Sequence, residues 1–241
     1  MTRYQERTYR NLISSHGALH SYNVTIRESD LFISSSVDMS AQIEKSLLKQ
    51  RTYLETYINN NPQFLKSLLP LPYDEMAPPI IRDMLDKSRL CGVGPMASVA
   101  GAVSQFIGLE LMNMSETLII ENGGDIFLKS PDNLNVSVYA GESPLSYKVN
   151  FAVKASEQPL GICTSSATVG PSLNFGKADA ICVISPSATL SDAAASAIGN
   201  RVKDKKDIKP ALEFGMTIKD ITGIIIIYGS DMGAIGDIEF V

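Results

Sequence analysis

"VGPMASVAGAVSQFIG", residues 93–108, and "ISPSATLSDAAASAIG", residues 184–199, align without a gap. Pro95 meets Pro186, Ala97 meets Ala188, Ala102 meets Ala193, Ile107 meets Ile198 and Gly108 meets Gly199, with Val/Ile, Ser/Thr and Val/Leu exchanges beside them. Both segments read as helices entered through proline. Each is followed by an apolar strand that ends in a glycine–acid turn, "LIIENGGD" (118–125) and "IIIIYGSD" (224–231). The pattern predicts a duplicated helix-plus-strand unit related by a pseudo-twofold, with halves 1–130 and 131–241 inside one domain spanning 1–241. Chance resemblance between two alanine-rich helices is the alternative.

The flanking sequence supplies both strands and helices. "YNVTI" and "LFISSSV", rich in β-branched residues and separated by "ESD", predict short antiparallel strands in a meander within residues 1–37. From Met39 to Asn60, Ile43, Leu47, Leu54 and Ile58 recur at helical spacing, with Asp38 as the expected N-cap and Pro62 as the stop. "PQFLKSLLPLPYDEMAPP" is proline-rich and reads as a strap, after which "PIIRDMLDKSRL" restarts a helix. The second half predicts strands near 117–121, 134–140, 147–153 and 179–185, helices near 188–199 and 207–214, and strands in "GIIIIYG" and "IGDIEFV". The charge run "VKDKKDIKP" reads as a solvated helix entry. The fold class that follows is α+β, a mixed α/β arrangement of sheets packed with helices.

Composition narrows the partners. A chain of 241 residues with 44% hydrophobic residues buries about two thirds or more of its unfolded surface. The formal charge of −5 and the lack of a basic face disfavour nucleic acid. Three cysteines at 91, 163 and 182 have no CxxC spacing, and His16 and His20 have no third ligand near them, so no zinc site is expected. Reduced thiols, a charged N-terminus without an apolar core and apolar runs far short of the roughly 20 residues that span a bilayer predict a cytoplasmic protein with no membrane segment. The sequons at Asn23, Asn113 and Asn135 carry little meaning, since glycosylation needs a secretory route.

Polar groups and glycines gather at four strand or helix ends, where ligands of open α/β sheets tend to bind. In "ENGGD", Gly123 and Gly124 permit positive φ and close backbone approach, while Asn122 and Asp125 hold the turn or present an amide and a carboxylate. In "GICTSSATVGPS", Thr164, Ser165, Ser166 and Thr168 offer hydroxyls and amides suited to phosphate or a flavin-like ring, and no G-x-S-x-G frame marks a serine nucleophile. In "GKADA", Lys177 and Asp179 precede a strand; a solvated lysine or an anion point charge both fit. In "SDAAASAIGN", Asp192 and Ser196 stand one turn apart on a helix, so that a carboxylate and a hydroxyl converge as oxygen ligands suited to Mg²⁺; a favourable charge near the helix dipole is the plain alternative. Gly92, Gly94 and Ala97 match G-x-G-x-x-A, but the residues before them read as helix where a dinucleotide fingerprint needs a strand. With Pro95 at N1, that helix start is either an anion site or a close-packing surface.

Taken in order, "ESDLFIS", "CGVGPMASVAGAVSQFIG", "ENGGDIFL", "GICTSSATVG", "FGKADA" and "SDAAASAIGN" resemble the ApbE-like superfamily, and more closely an uncharacterised UPF-type family within it, over nearly the whole chain. The superfamily includes FAD:protein FMN transferases, which use Mg²⁺. The resemblance implies that Gly123 and Gly124 correspond to their glycine pair, and Thr164 with Ser165 to the start of their Thr-Ser-Gly turn. Asp192 and Ser196 correspond to the metal-binding aspartate and threonine. The His-Ile-x-Asp-Pro segment of those transferases is absent, and Ala167 and Pro171 stand where the closer family has glycine and histidine.

Two readings follow. In the first, the chain is a flavin transferase-like enzyme that binds a small phosphorylated flavin- or nucleotide-like ligand with Mg²⁺. Asp192 and Ser196 hold the metal, Asn122, Gly123, Gly124, Thr164, Ser165 and Ser166 receive the ligand, and Asp125 is a candidate general base. In the second, it is a ligand-sensing or assembly protein that kept the fold and lost catalysis. A homo-oligomer with the site near a subunit boundary suits either.

Overall fold

A computed structural model describes residues 13–14, 19–167 and 175–241. His16, Thr168 and Pro171, singled out above, lie outside the described residues. Among the described residues twelve strands form two sheets. The larger has eight strands in the order β11-β10-β9-β8-β5-β4-β3-β2: β2 (His20–Ile26), β3 (Ser29–Ser35), β4 (Leu118–Asn122), β5 (Asp125–Ser130), β8 (Ser156–Ser165), β9 (Ala180–Ser185), β10 (Gly223–Tyr228) and β11 (Asp231–Gly236). All its ladders are antiparallel. The smaller orders β1 (Ile13–Ser14), β6 (Leu134–Ser137), β7 (Asn150–Val153) and β12 (Glu239–Phe240) as β1-β6-β7-β12.

Three layers result. On one face of the large sheet, Leu31, Ile33, Leu118, Ile120 and Phe127 pack against α1 (Ser40–Asn60), α3 (Pro79–Cys91) and α4 (Val99–Leu111). Further along that face, Ile181, Val183, Ile224 and Ile226 pack against α5 (Ala188–Gly199) and α6 (Ile208–Met216). The other face meets the small sheet through Ile119, Leu128, Ile162, Cys182, Ile225 and Phe151. Apolar residues on both faces are what a central sheet layer demands, and they explain runs such as "GIIIIYG" that do not alternate. Among the described residues no single helix is long and apolar enough to cross a bilayer; α3 and the segment Pro95–Leu111 reach that length only together, bent by 101° and packed in the core.

Strand order reveals a repeat of hairpin, helices, hairpin: β2-β3, the helices from α1 through α3 and α4, β4-β5, then β8-β9, α5, α6, β10-β11. The second unit continues the first by a step of four strands, joined through β5 and β8. Within this scheme α4 precedes the closing hairpin of its unit, whereas α5 follows the opening hairpin of the next. The two helices aligned in sequence therefore do not occupy corresponding places in the repeat. They resemble one another because each needs small residues: they cross over the middle of the sheet so closely that a Cβ at Gly101 would lie 2.3 Å from the Ala188 carbonyl oxygen.

Local details differ from expectation. The N-cap of α1 is Met39, one residue later than predicted, and the Asp38 carboxylate accepts the Ser40 N–H at 2.9 Å. The strap contains a short helix, α2 (Pro62–Lys66), with Pro62 at its start. The charged entry to α6 is a 3-10 turn, Lys205–Asp207, closed by reciprocal Asp204 and Asp207 capping.

Candidate functional site

The chain turns between β4 and β5 through Gly123 and Gly124, at φ +69° and +108°, with Asn122 paired to Asp125. A two-residue hairpin with both central residues at positive φ selects glycine by backbone strain, since nothing lies within 4 Å of a Cβ at Gly123. Glu121 Oε1 accepts the Gly124 N–H at 2.9 Å, and the Gly124 carbonyl accepts the Thr164 N–H at 3.2 Å. Asn122 Nδ2 donates to the Ala100 carbonyl at 3.1 Å, tying the hairpin to the start of α4.

That start is a 3-10 turn, Pro95–Ser98, running directly into α4. Pro95 thus opens the turn and not the α-helix. Ser98, the N-cap of α4, caps nothing with its side chain. Asp192 does so from α5: its Oδ2 accepts the Gly101 N–H at 2.9 Å, and the Ala100 N–H also stabilises its charge. The helix start considered above as an anion site is filled by a carboxylate of the chain itself. One turn on, Ser196 Oγ is 3.5 Å from the Ala97 carbonyl. Gln105 of α4 returns the favour: its Oε1 accepts from Ser187 Oγ at 2.9 Å and Thr189 N–H at 3.2 Å at the start of α5, while its Nε2 donates to Asp83 at 3.1 Å. Contacts 97–196, 101–192 and 105–189 run antiparallel along the two helices.

Asp125 enters this cluster from the sheet. It is paired with Cys163, whose thiol donates to the Ala188 carbonyl at 3.2 Å and is also within hydrogen-bond reach of Asp125. Burial, then the negative charge of Asp192, holds the Asp125 carboxyl well above its ordinary range; Glu121 adds to the rise, and Cys163 and the Thr164 N–H oppose it. Asp192 is pushed up to about 7 by burial, against the stabilising amides of Gly101 and Ala100. Burial and these same charges raise the Cys163 thiol, and burial pushes Cys91 up to about 12. Two buried carboxylates that disfavour each other's ionisation are the electrostatic core of the site.

The fold therefore brings Asn122, Gly123, Gly124, Asp125, Asp192 and Ser196 together. Ser165 shares their side of the sheet, being paired with Ile181 of the helix-side core, and Ser166 is buried next to it. The Thr164 hydroxyl lies on the opposite face beside Cys182, so at that residue only the main chain reaches Gly124. Asp179 stands apart: its Oδ2 accepts the Gly229 N–H at 2.6 Å and closes the β10-β11 hairpin. His20 is exposed at the start of β2, the edge strand of the large sheet. Sequence reasoning missed Cys163, the Ala97 carbonyl and Gln105; a thiol, a main-chain oxygen and a helical amide carry no spacing signal. Among the described residues no three His, Cys, Asp or Glu side chains converge to hold a metal.

An eight-stranded antiparallel sheet carrying paired helices on one face and a small sheet on the other is the ApbE fold. Pseudomonas stutzeri flavinyl transferase ApbE in its apo form superposes with a TM-score of 0.55 over 91% of this chain and 94% of that one, at 11% identity. The ApbE protein of Thermotoga maritima gives 0.56 over 90% and 96%, at 12% identity. At such identities the likeness is one of fold. The chain is 37% identical over 221 residues to a UPF0280 protein of Methanococcus aeolicus and 39% over 223 residues to one of Methanocaldococcus jannaschii, covering 89% of this chain in both cases and 89% and 90% of theirs. A family model described as AbpE bacteria matches residues 10–229. The chain belongs to this family of UPF0280 relatives.

Proposed function

We propose that the chain binds a phosphorylated flavin- or nucleotide-like ligand together with Mg²⁺ at the junction of the β4-β5 hairpin, the end of β8 and the α4–α5 crossing, and that it acts as a flavin transferase-like enzyme. The observation that carries this reading is the buried Asp125–Asp192 pair. Two carboxylates buried together are stabilised by a cation, and the neighbouring Ser196 hydroxyl and Ala97 carbonyl make the donor set all oxygen, which fits a hard divalent ion. Asp192 and Ser196 would hold the ion. Bound there, Mg²⁺ supplies Lewis-acid polarisation of a pyrophosphate oxygen.

The chain's own residues do the rest. Gly123 and Gly124 present bare main chain, so a ligand can approach the strand end without side-chain obstruction. Ser165 turns its hydroxyl to the same side of the sheet, Ser166 is buried next to it in the chain, and Thr164 would contribute its backbone. Asp125 is held as the acid by burial and by the charge of Asp192; with a cation offsetting those charges it would lose that proton and accept one from an attacking hydroxyl, as the new oxygen–phosphorus bond forms and the nucleotide half of the pyrophosphate leaves. One observation favours the rival reading of a non-catalytic sensor: Asp192 already serves as the cap of α4, a structural duty that accounts for its presence.

Thermal unfolding with FAD, FMN and ADP, with and without Mg²⁺, tests the proposal. At about 100 times its dissociation constant a ligand adds roughly 2.7 kcal/mol, and that amounts to a Tm rise of about 5–10 °C in a chain of this size. Asp192→Asn keeps an oxygen for the Gly101 N–H, so it should fold and lose only the Mg²⁺-dependent part. Mass spectrometry of the recovered ligand separates an enzyme, which returns cleaved FAD, from a sensor, which returns it intact. No shift with any flavin or nucleotide overturns the binding proposal.

A further inference from the structure

The strap between α2 and α3 carries an apolar surface that the site does not use. Met76 is 93% exposed and Leu69 70%, and Leu65, Leu68 and Tyr73 lie between 46% and 56%. Together they present on the order of 500 Å² of apolar side chain within twelve residues, comparable to the largest patch on an ordinary monomer. Nothing about the strap is loose. Phe64 is buried edge-on to Tyr57, with ring centroids 5.1 Å apart. The Tyr57 hydroxyl donates to Asp74 at 3.0 Å, whose other oxygen accepts the Met76 N–H at 3.0 Å. The Ser67 carbonyl fills the space where a Cβ would stand at Gly94. With Pro70 and Pro72 fixing φ between these anchors, the leucines are held outward on a rigid backbone, so little chain entropy is lost when they are covered.

The charges at its ends indicate what covers it. Lys66 and Glu75 lie just inside the two ends of the apolar run, next to Leu65 and Met76; both are exposed, and neither has an ion-pair partner among the described residues. A segment with a cation at one end and an anion at the other is complementary to itself when two copies run antiparallel. We infer that the strap is an isologous interface with a second copy of this chain, the twofold axis passing by Pro70 and Leu71 so that Lys66 of each copy faces Glu75 of the other. The apolar area supplies well over half of the ~800 Å² per partner found in stable dimers, and the polar ends supply the rim. Ser67 packs on Gly94, three residues before Ala97, so the interface borders the candidate site without depending on what that site binds.

Sedimentation velocity over a wide range of loading concentrations tests this on the full chain. The wild type is expected to be a dimer. Leu69→Asp should weaken it by about 30-fold or more, the effect of charging an interface centre, with unchanged circular dichroism because the side chain is exposed. Lys66→Glu should weaken it about tenfold through two repulsive contacts, and Lys66→Glu with Glu75→Lys should restore it. Leu69→Cys should join two chains through a short bismaleimide, the native cysteines all being buried. A monomer at every concentration, a dimer indifferent to both single substitutions, or failure of the charge exchange to restore association overturns the inference.

Discussion

Replacing Gly101 with alanine probes the contact on which the site is built. The added Cβ would stand 2.3 Å from the Ala188 carbonyl oxygen and 2.8 Å from Asp192 Cβ. Neither neighbour can move alone: one is main chain in the first turn of α5, and the other hangs from the same helix. The helices must part by about 1 Å to reach ordinary van der Waals contact. That movement costs about 1–3 kcal/mol as overpacking. It also stretches the 2.9 Å bond from the Gly101 N–H to Asp192, a charge-assisted bond contributing about 1.5–3 kcal/mol. Alanine returns about 1 kcal/mol of helix propensity. The net loss is about 2–4 kcal/mol, equivalent to a fall in Tm of roughly 4–16 °C. Gly92→Ala is the comparison: its φ is +71° with nothing within 4 Å of a Cβ, so the cost is only the left-handed backbone, about 1–2 kcal/mol. Urea unfolding of both variants measures the difference. If Gly101→Ala is as stable as the wild type, or loses less than Gly92→Ala, the tight crossing of α4 and α5 is refuted.

The pH response follows from Asp192, whose folded value near 7 lies above the ordinary carboxylate value near 4. A raised carboxylate favours the folded state at low pH, and that contribution is lost as pH rises from about 4 through about 7. Asp192→Asn should flatten this loss in urea titrations run across that range. Mg²⁺ competes with the same proton, so its stabilising effect should grow as pH passes about 7 and vanish in the variant; a response independent of pH, or one that survives Asp192→Asn, would count against the metal assignment. All three cysteines are buried, with Cys91 and Cys182 pushed up to about 12 by burial. A thiol-specific chromogenic reagent should label none of them in the native protein and all of them in denaturant, and rapid native labelling would contradict the packing around Cys163.

Much of the local structure was legible. Apolar spacing in 39–60 and 79–91, prolines at helix starts and turn glycines located most helices and the turn that ends β4, because these signals act between residues a few positions apart. Gly123 and Gly124 announced positive φ for the same reason. What escaped is non-local. β5 and the polar first half of β8, "SEQP", are strands because their neighbours in the sheet make them so, through a ladder from Asp125–Cys163 to Ser130–Ser156. Which face Thr164 presents was fixed by that register, since a period of two sends it away from Ser165.

The site divides the same way. The sequence marked Asp125, Asp192 and Ser196 as acids and hydroxyls at element ends, but it could not bring Asp192 to a helix start 91 residues away or set it beside Asp125. It offered duplication or chance likeness for the segments around Ala97 and Ala188; the tertiary structure packs these two small-residue helices against each other, where close approach asks the same of both. Local chemistry is written in short spacings. The burial that raises both carboxylates, and the crossing that lets one of them cap the other helix, exist only once the sheet has put its two halves side by side.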